Sequence, residues 1–145
     1  MIENRTGGSP IATERTTGYE LDVVEERFAV VRLDAGAPEP AWTGSSSFVS
    51  VTRTPTELSV VCEEEALPPS ADARRGLRCL VVRGPLAFDE IGVLESLARP
   101  LAAEGVSIFV VSTYDTDYLF VDDDAVDRAV GVLREAGHTL VGVGG

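Results

Sequence analysis

Residues 104–121 (EGVSIFVVSTYDTDYLFV) constrain the fold more tightly than any other stretch of the chain. Val106 to Ser112 and Tyr118 to Val121 read as two β-strands joined by a tight polar turn, Thr113-Tyr114-Asp115-Thr116-Asp117. The first run is apolar at nearly every position, which predicts a strand covered on both faces. Such a hairpin holds its hydroxyls and carboxylates rigidly, where a ligand or a neighbouring subunit could meet them. Thr and Asp are also ordinary turn residues, so a plain core hairpin with a well-capped turn fits the same letters.

A chain of 145 residues has room for one domain or for two small modules sharing a core. Its hydrophobic fraction of 44% supports packing. The formal net charge of −12 argues against nucleic acid, which is held chiefly by Lys and Arg, and against anionic membranes. No apolar run reaches the length of a bilayer span, and Met1 to Gly18 lacks the apolar centre of a signal peptide. The expectation is a cytoplasmic protein. Cys62 and Cys79 sit in strand-like runs without metal-ligand spacing, so they are expected to be reduced packing residues.

In chain order, 1–18 reads as a disordered tail. Phe28 to Leu33 is a first strand, and Ala35 to Ser47, with Pro38, Pro40 and Gly44, is a connection in which Trp42 is either a ligand-stacking surface or, the commoner case, an aromatic plug. Phe48 to Thr52 and Glu57 to Cys62 are alternating strands around Thr54-Pro55-Thr56. Glu63 to Glu65 open a short helical or irregular piece. Arg78 to Arg83 is a fourth strand. Leu94, Leu97, Ala98 and Leu101 then recur at helical spacing, with Asp89 and Glu90 at the positive end and Pro100 as a kink or break. After the hairpin, Asp122 to Asp124 cap a second amphipathic helix (Val126, Ala129, Val130, Leu133), Gly137 stops it, and His138 to Val143 is a final strand.

From Arg78 onward the order is strand, helix, strand, strand, helix, strand. That is the ferredoxin-like split arrangement, an α+β fold with an antiparallel sheet and helices on one face. The first half repeats the strand spacing with its first helix eroded to a loop. The chain thus reads as a degenerate module, 19–76, followed by a complete one, 77–145.

Catalysis finds little support. Ser112 with His138 as base lacks a nucleophile elbow, and His138 sits where a histidine tops a helix end. Asp122-Asp123-Asp124 lacks the ligand spacing of a calcium loop, and without a single Lys there is no phosphate cradle. No cofactor or metal is expected. Binding fares better: the loop holding Asp89, Glu90 and Gly92 and the turn holding Thr113 and Asp117 are spatial neighbours in a split fold. Backbone amides there suit a carboxylate, and the acids suit an ammonium or guanidinium. Helix capping by Asp89 and Glu90 is the competing reading of the same residues.

The hairpin SIFVVSTYDTDYLFV, preceded by RCLVVRGPLAFDEIGVLESLARPLAAEG, resembles the ACT-domain family. The match is to small bacterial proteins related to the modules of the eukaryotic cytosolic arginine sensors, and WTGSSSFVSVTRTPTELSVVCEEEALPP resembles their degenerate first module. The resemblance implies tandem ACT modules, amino-acid sensing, and a ligand between modules, usually in a dimer. Carried over by motif, the ligand-binding residues are Glu90, Gly92 and Val93 in the loop, Ser107 and Ile108 at the strand start through backbone groups, and Thr113, Tyr114 and Asp117 at its end. Asp117 would face a basic side chain. The function so implied is a non-enzymatic regulatory sensor with an amino-acid ligand, a homodimer and a regulated protein partner. A structural or interaction module without ligand is the alternative, and a small hydrolase the third reading.

Overall fold

The computed structural model describes residues 18–142. The expected tail, apart from Gly18, and Val143 at the end of the last expected strand lie outside them. Strand β1 runs Glu20–Leu33, β2 Val49–Arg53, β3 Leu58–Glu63 and β4 Ala73–Val82. Helix α1 (Val93–Ala103) precedes β5 (Phe109–Ser112) and β6 (Asp117–Asp122), and α2 (Val126–Glu135) precedes β7 (Thr139–Val141). The seven strands form one sheet in the order β2-β3-β1-β4-β6-β5, with β7 beside the start of β1. Only the β1–β7 pairing is parallel, Leu21 facing Leu140.

Alternation divides the core between the two faces of the sheet. Leu80 and Val82 of β4 and Leu119 and Val121 of β6 meet Leu97 and Leu101 of α1 and Leu133 of α2. Leu77 and Cys79, one step out of phase, face the other side with Phe28, Val61 and Phe120. Phe48 adds to that layer edge-on to Phe28 at 5.8 Å. Burial pushes the Cys79 thiol up to about 12, so both buried free cysteines are packing groups. Trp42 packs on Ala29, Val31, Val60, Cys62 and Leu67, as a plug over the first half. That half has only 3-10 turns, Ala41–Ser45 and Glu64–Ala66, where a complete module would carry helices.

Several elements differ from the sequence reading. β1 begins at Glu20, not Phe28, because a register shift between Val24 and Arg27 breaks the alternation and leaves Glu25 and Glu26 exposed. β4 begins at Ala73 and so crosses position 76/77, and β1 pairs with strands of both halves. β5 is an edge strand with Phe109 41% exposed, not a strand covered on both faces. α1 continues through Pro100. Asp122 and Asp123 do not cap α2: they pair with Arg74 at 2.9 Å and with Arg27 at 3.0 Å. Asp89 and Glu90 do not cap α1 either, since its N-cap is Gly92 in the left-handed region at φ 85°, with no side-chain cap.

Candidate functional site

The loop after β4 and the β5–β6 turn are tied together at their base. The Leu86 N–H donates to the Asp115 carbonyl at 2.8 Å, and the Thr116 hydroxyl to the Val82 carbonyl at 2.6 Å. Gly84 lies so close to the turn that a Cβ would meet the Asp115 carbonyl at 3.0 Å. The turn is closed on itself by the Thr113 N–H donating to the Thr116 carbonyl at 2.8 Å. At the outer end, the rings of Phe88 and Tyr114 stack with centroids 5.3 Å apart, although both are more than three-quarters exposed.

Between loop, turn and the start of α1 lies a cavity of about 400 Å³. Its lining includes Phe88, Glu90, Gly92, Val93, Leu94, Glu95, Ser112, Thr113, Tyr114, Asp115 and Asp117. Six of the eight sequence-derived residues therefore come together: Glu90, Gly92, Val93, Thr113, Tyr114 and Asp117. Ser107 and Ile108 do not join them. They line a separate cleft of about 200 Å³ with Arg74, Leu77, Phe109 and Phe120, at the opposite end of β5.

The cavity is electrically bipolar. The first-turn N–H groups of α1, those of Val93, Leu94 and Glu95, have neither an intrahelical acceptor nor a side-chain cap, and they carry the positive end of the helix dipole. Four carboxylates share the lining, Glu90, Glu95, Asp115 and Asp117, with no Lys, Arg or His among them. Glu95 pairs with Arg99 one turn along the helix, whereas no ion pair neutralises the other three among the described residues. Glu90 accepts from the Tyr19 hydroxyl at 2.9 Å. Tyr19 is anchored in turn, its N–H donating to His138 Nδ1 at 3.0 Å and its carbonyl accepting from the Thr139 N–H at 2.9 Å.

His138 is committed to structure through both ring nitrogens. With Nδ1 accepting, Nε2 carries the proton and donates to the Ser96 carbonyl at 3.2 Å. Neither nitrogen is left to serve as a base for Ser112, so the Ser112–His138 pairing is not formed. Sequence reasoning missed Phe88, Asp115, Glu95 and the supporting Tyr19. Phe88 carried a signal, an aromatic residue outside any apolar period in the loop between Pro85 and Gly92. Tyr19 carried none, because its partner is 71 positions away.

Comparison with known proteins adds the following. A family model described as the ACT domain matches residues 72–135, and a model of an N-terminal domain matches 26–70. A crystal structure of a protein from Agobacterium tumefaciens is 38% identical, superposes with a TM-score of 0.80, and covers 86% of this chain and 92% of its own. The human cytosolic arginine sensor for mTORC1 subunit 1 is 38% identical over 50 residues, 34% of this chain and 15% of the sensor, so the chain spans a small part of that relative. The regulatory subunit of aspartate kinase from Thermus thermophilus shares the fold, with a TM-score of 0.52 at 12% identity over 79% of this chain and 96% of its own. No helix among the described residues is long and apolar enough to cross a membrane.

Proposed function

The chain belongs to the ACT-domain family, and we propose that its cavity of about 400 Å³ binds a free amino acid with a basic side chain, making the protein a cytoplasmic regulatory sensor and not an enzyme. One observation carries this reading. An uncapped helix N-terminus and three carboxylates without ion-pair partners line the same cavity, and no basic side chain does. The α-carboxylate would take the N–H groups of Val93, Leu94 and Glu95. Glu90 and Asp117 would take the α-ammonium and a guanidinium or ammonium at the far end, in charge-assisted bonds. Tyr114 and Phe88 offer π faces to a cation at the mouth. The human relative is named for arginine sensing in the cytosol, which agrees with that charge pattern.

Ser107 and Ile108 enter this scheme through a second copy. β5 is the edge of the sheet, with its start at one end and the 113–117 turn at the other. Antiparallel pairing of two such edges sets the start of one strand beside the turn of the other. The backbone groups of Ser107 and Ile108 would then close the cavity of the facing copy, so a ligand would bridge two chains and shift how they pack, which a regulated protein partner would read.

Calorimetric titration with arginine and with citrulline, its uncharged near-isostere, tests the charge logic. Arginine is expected to bind at least tenfold more tightly, a difference of about 1.4 kcal/mol or more. Asp117→Asn should narrow that gap and leave the unfolding temperature of the free protein unchanged. Equal affinities for the two ligands, or an Asp117→Asn protein with the original preference, would remove the carboxylate from its assigned role.

A further inference from the structure

Glu90 stands on the loop between β4 and α1, exposed and outside any helix or strand. Its N–H closes a turn onto the Ala87 carbonyl at 3.0 Å, which fixes the backbone and leaves the side-chain torsions free. Glu95, Asp115 and Asp117 line the same cavity, so like-charge repulsion drives an unrestrained Glu90 carboxylate outward. A glutamate that has to be ordered when a ligand arrives loses rotamer freedom, and that loss weakens binding. A site that holds the carboxylate beforehand avoids it.

Tyr19 supplies the hold. Its hydroxyl donates to Glu90 Oε2 at 2.9 Å, across 71 positions of sequence. The aim of that hydroxyl is set by a rigid seat just before β1. The Tyr19 N–H donates to His138 Nδ1 at 3.0 Å, and its carbonyl accepts from the Thr139 N–H at 2.9 Å. Its ring stacks on the His138 ring, with centroids 6.0 Å apart and planes 15° apart. His138 is itself buried and donates through Nε2 to the Ser96 carbonyl of α1 at 3.2 Å. One residue earlier, Gly18 lies so close to the α2–β7 connection that a Cβ would meet the Gly137 carbonyl oxygen at 2.1 Å. Only a glycine lets the backbone run there and deliver Tyr19 to its seat. A carboxylate accepts on both oxygens, so holding Oε2 leaves Oε1 for a ligand's ammonium.

We propose that Tyr19 is a positioning residue of the ligand cavity: by holding Glu90 for an α-ammonium, it makes the cavity select amino acids over their deaminated counterparts. The proposal rests on the ligand reading above and names the group that makes one of its carboxylates effective. Tyr19 touches no part of the ligand in this scheme and acts through Glu90. Its packing and its hydrogen bond are separable, because the ring lies against the core around Leu21 and the hydroxyl reaches the exposed loop. Removing the hydroxyl therefore leaves the stack on His138 and both backbone bonds in place.

Calorimetric titration of the full chain with arginine and with δ-guanidinovalerate, which is arginine without its α-ammonium, tests this. The wild type should prefer arginine. Tyr19→Phe should weaken arginine about three- to tenfold, the effect of returning one long side chain to free rotation. It should leave δ-guanidinovalerate binding and the unfolding temperature of the free protein unchanged. In a Glu90→Ala background, with no carboxylate to orient, Tyr19→Phe should have no further effect on arginine, whereas independent contributions would multiply. Equal wild-type affinities for the two ligands would overturn the proposal. So would a Tyr19→Phe protein that loses both ligands alike, or one whose loss persists without Glu90, because either marks a general structural role. Arginine that binds the wild type and Tyr19→Phe equally well would overturn this proposal and leave the ligand reading standing. Arginine that does not bind the wild type would overturn both.

Discussion

Pro100 has no N–H to give the Ser96 carbonyl four residues back, yet α1 runs through it unbroken. His138 supplies the missing donor: its Nε2–H reaches that carbonyl at 3.2 Å while Nδ1 holds the Tyr19 N–H. A proline in one helix and a histidine after another thus form one unit. Removing His138 takes its ring away from both the Ser96 carbonyl and the Tyr19 N–H, and His138→Ala should cost about 1–3 kcal/mol. Pro100→Ala restores a backbone donor to Ser96, so His138→Ala should cost measurably less in that background, with a coupling of about 0.5–1.5 kcal/mol. Urea unfolding of the four proteins gives the cycle, and additive effects would show that the two residues act independently. The sequence pointed to a structural His138 and a troublesome Pro100 but not to their connection, because 38 positions of chain separate them.

At the scale of elements, the corner from β6 into α2 is pinned by charge. Arg27 and Arg78 face each other directly across β1 and β4, a like-charge pair that would push those strands apart. Asp123 lies against both, 3.0 Å from Arg27 and 3.5 Å from Arg78. The Arg27 hydrogen bond, with the nearby Arg78 charge, holds the Asp123 carboxyl below its ordinary value of 3.8. A depressed carboxylate contributes stability that is full above its unfolded-state pKa and is lost as pH falls through the folded one. Asp123→Asn should therefore flatten the acid limb of the stability curve below about pH 4, as read by unfolding midpoints from pH 6 to pH 2. An unchanged slope would mean that this exposed pair is inert. Asp122 to Asp124 looked like a helix cap in the sequence because acids before an amphipathic run fit that pattern. The partners of Asp122 and Asp123 come from β1 and β4, which no local window contains. The register shift in β1 hid its first half in the same way, whereas the hairpin and both helices, whose signals are local, were legible. So were the six cavity residues, all within two short segments. Ser107 and Ile108 fall elsewhere because a single chain does not bring the two ends of one strand together.

The strands of the described residues form one sheet threaded by β1, which pairs with β4 over most of its length, with β3 over its second half and with β7 at its start. The two halves therefore share a strand, and the helix-poor first half is stabilised by the helices of the second through that strand. The bipolar cavity lies at one end of β5, the edge strand of the sheet. The sensing proposed above would turn occupancy of that small cavity into a change of assembly. Its premise is that a basic amino acid binds the native state at all. The most direct test is the thermal unfolding temperature of the wild-type protein against each common amino acid at millimolar concentration. A ligand at a hundredfold excess over its Kd stabilises by about 2.7 kcal/mol. A clear rise is expected with arginine or another basic amino acid and none with acidic ones. A flat response, or a rise with aspartate or glutamate, would rule out a site for basic amino acids.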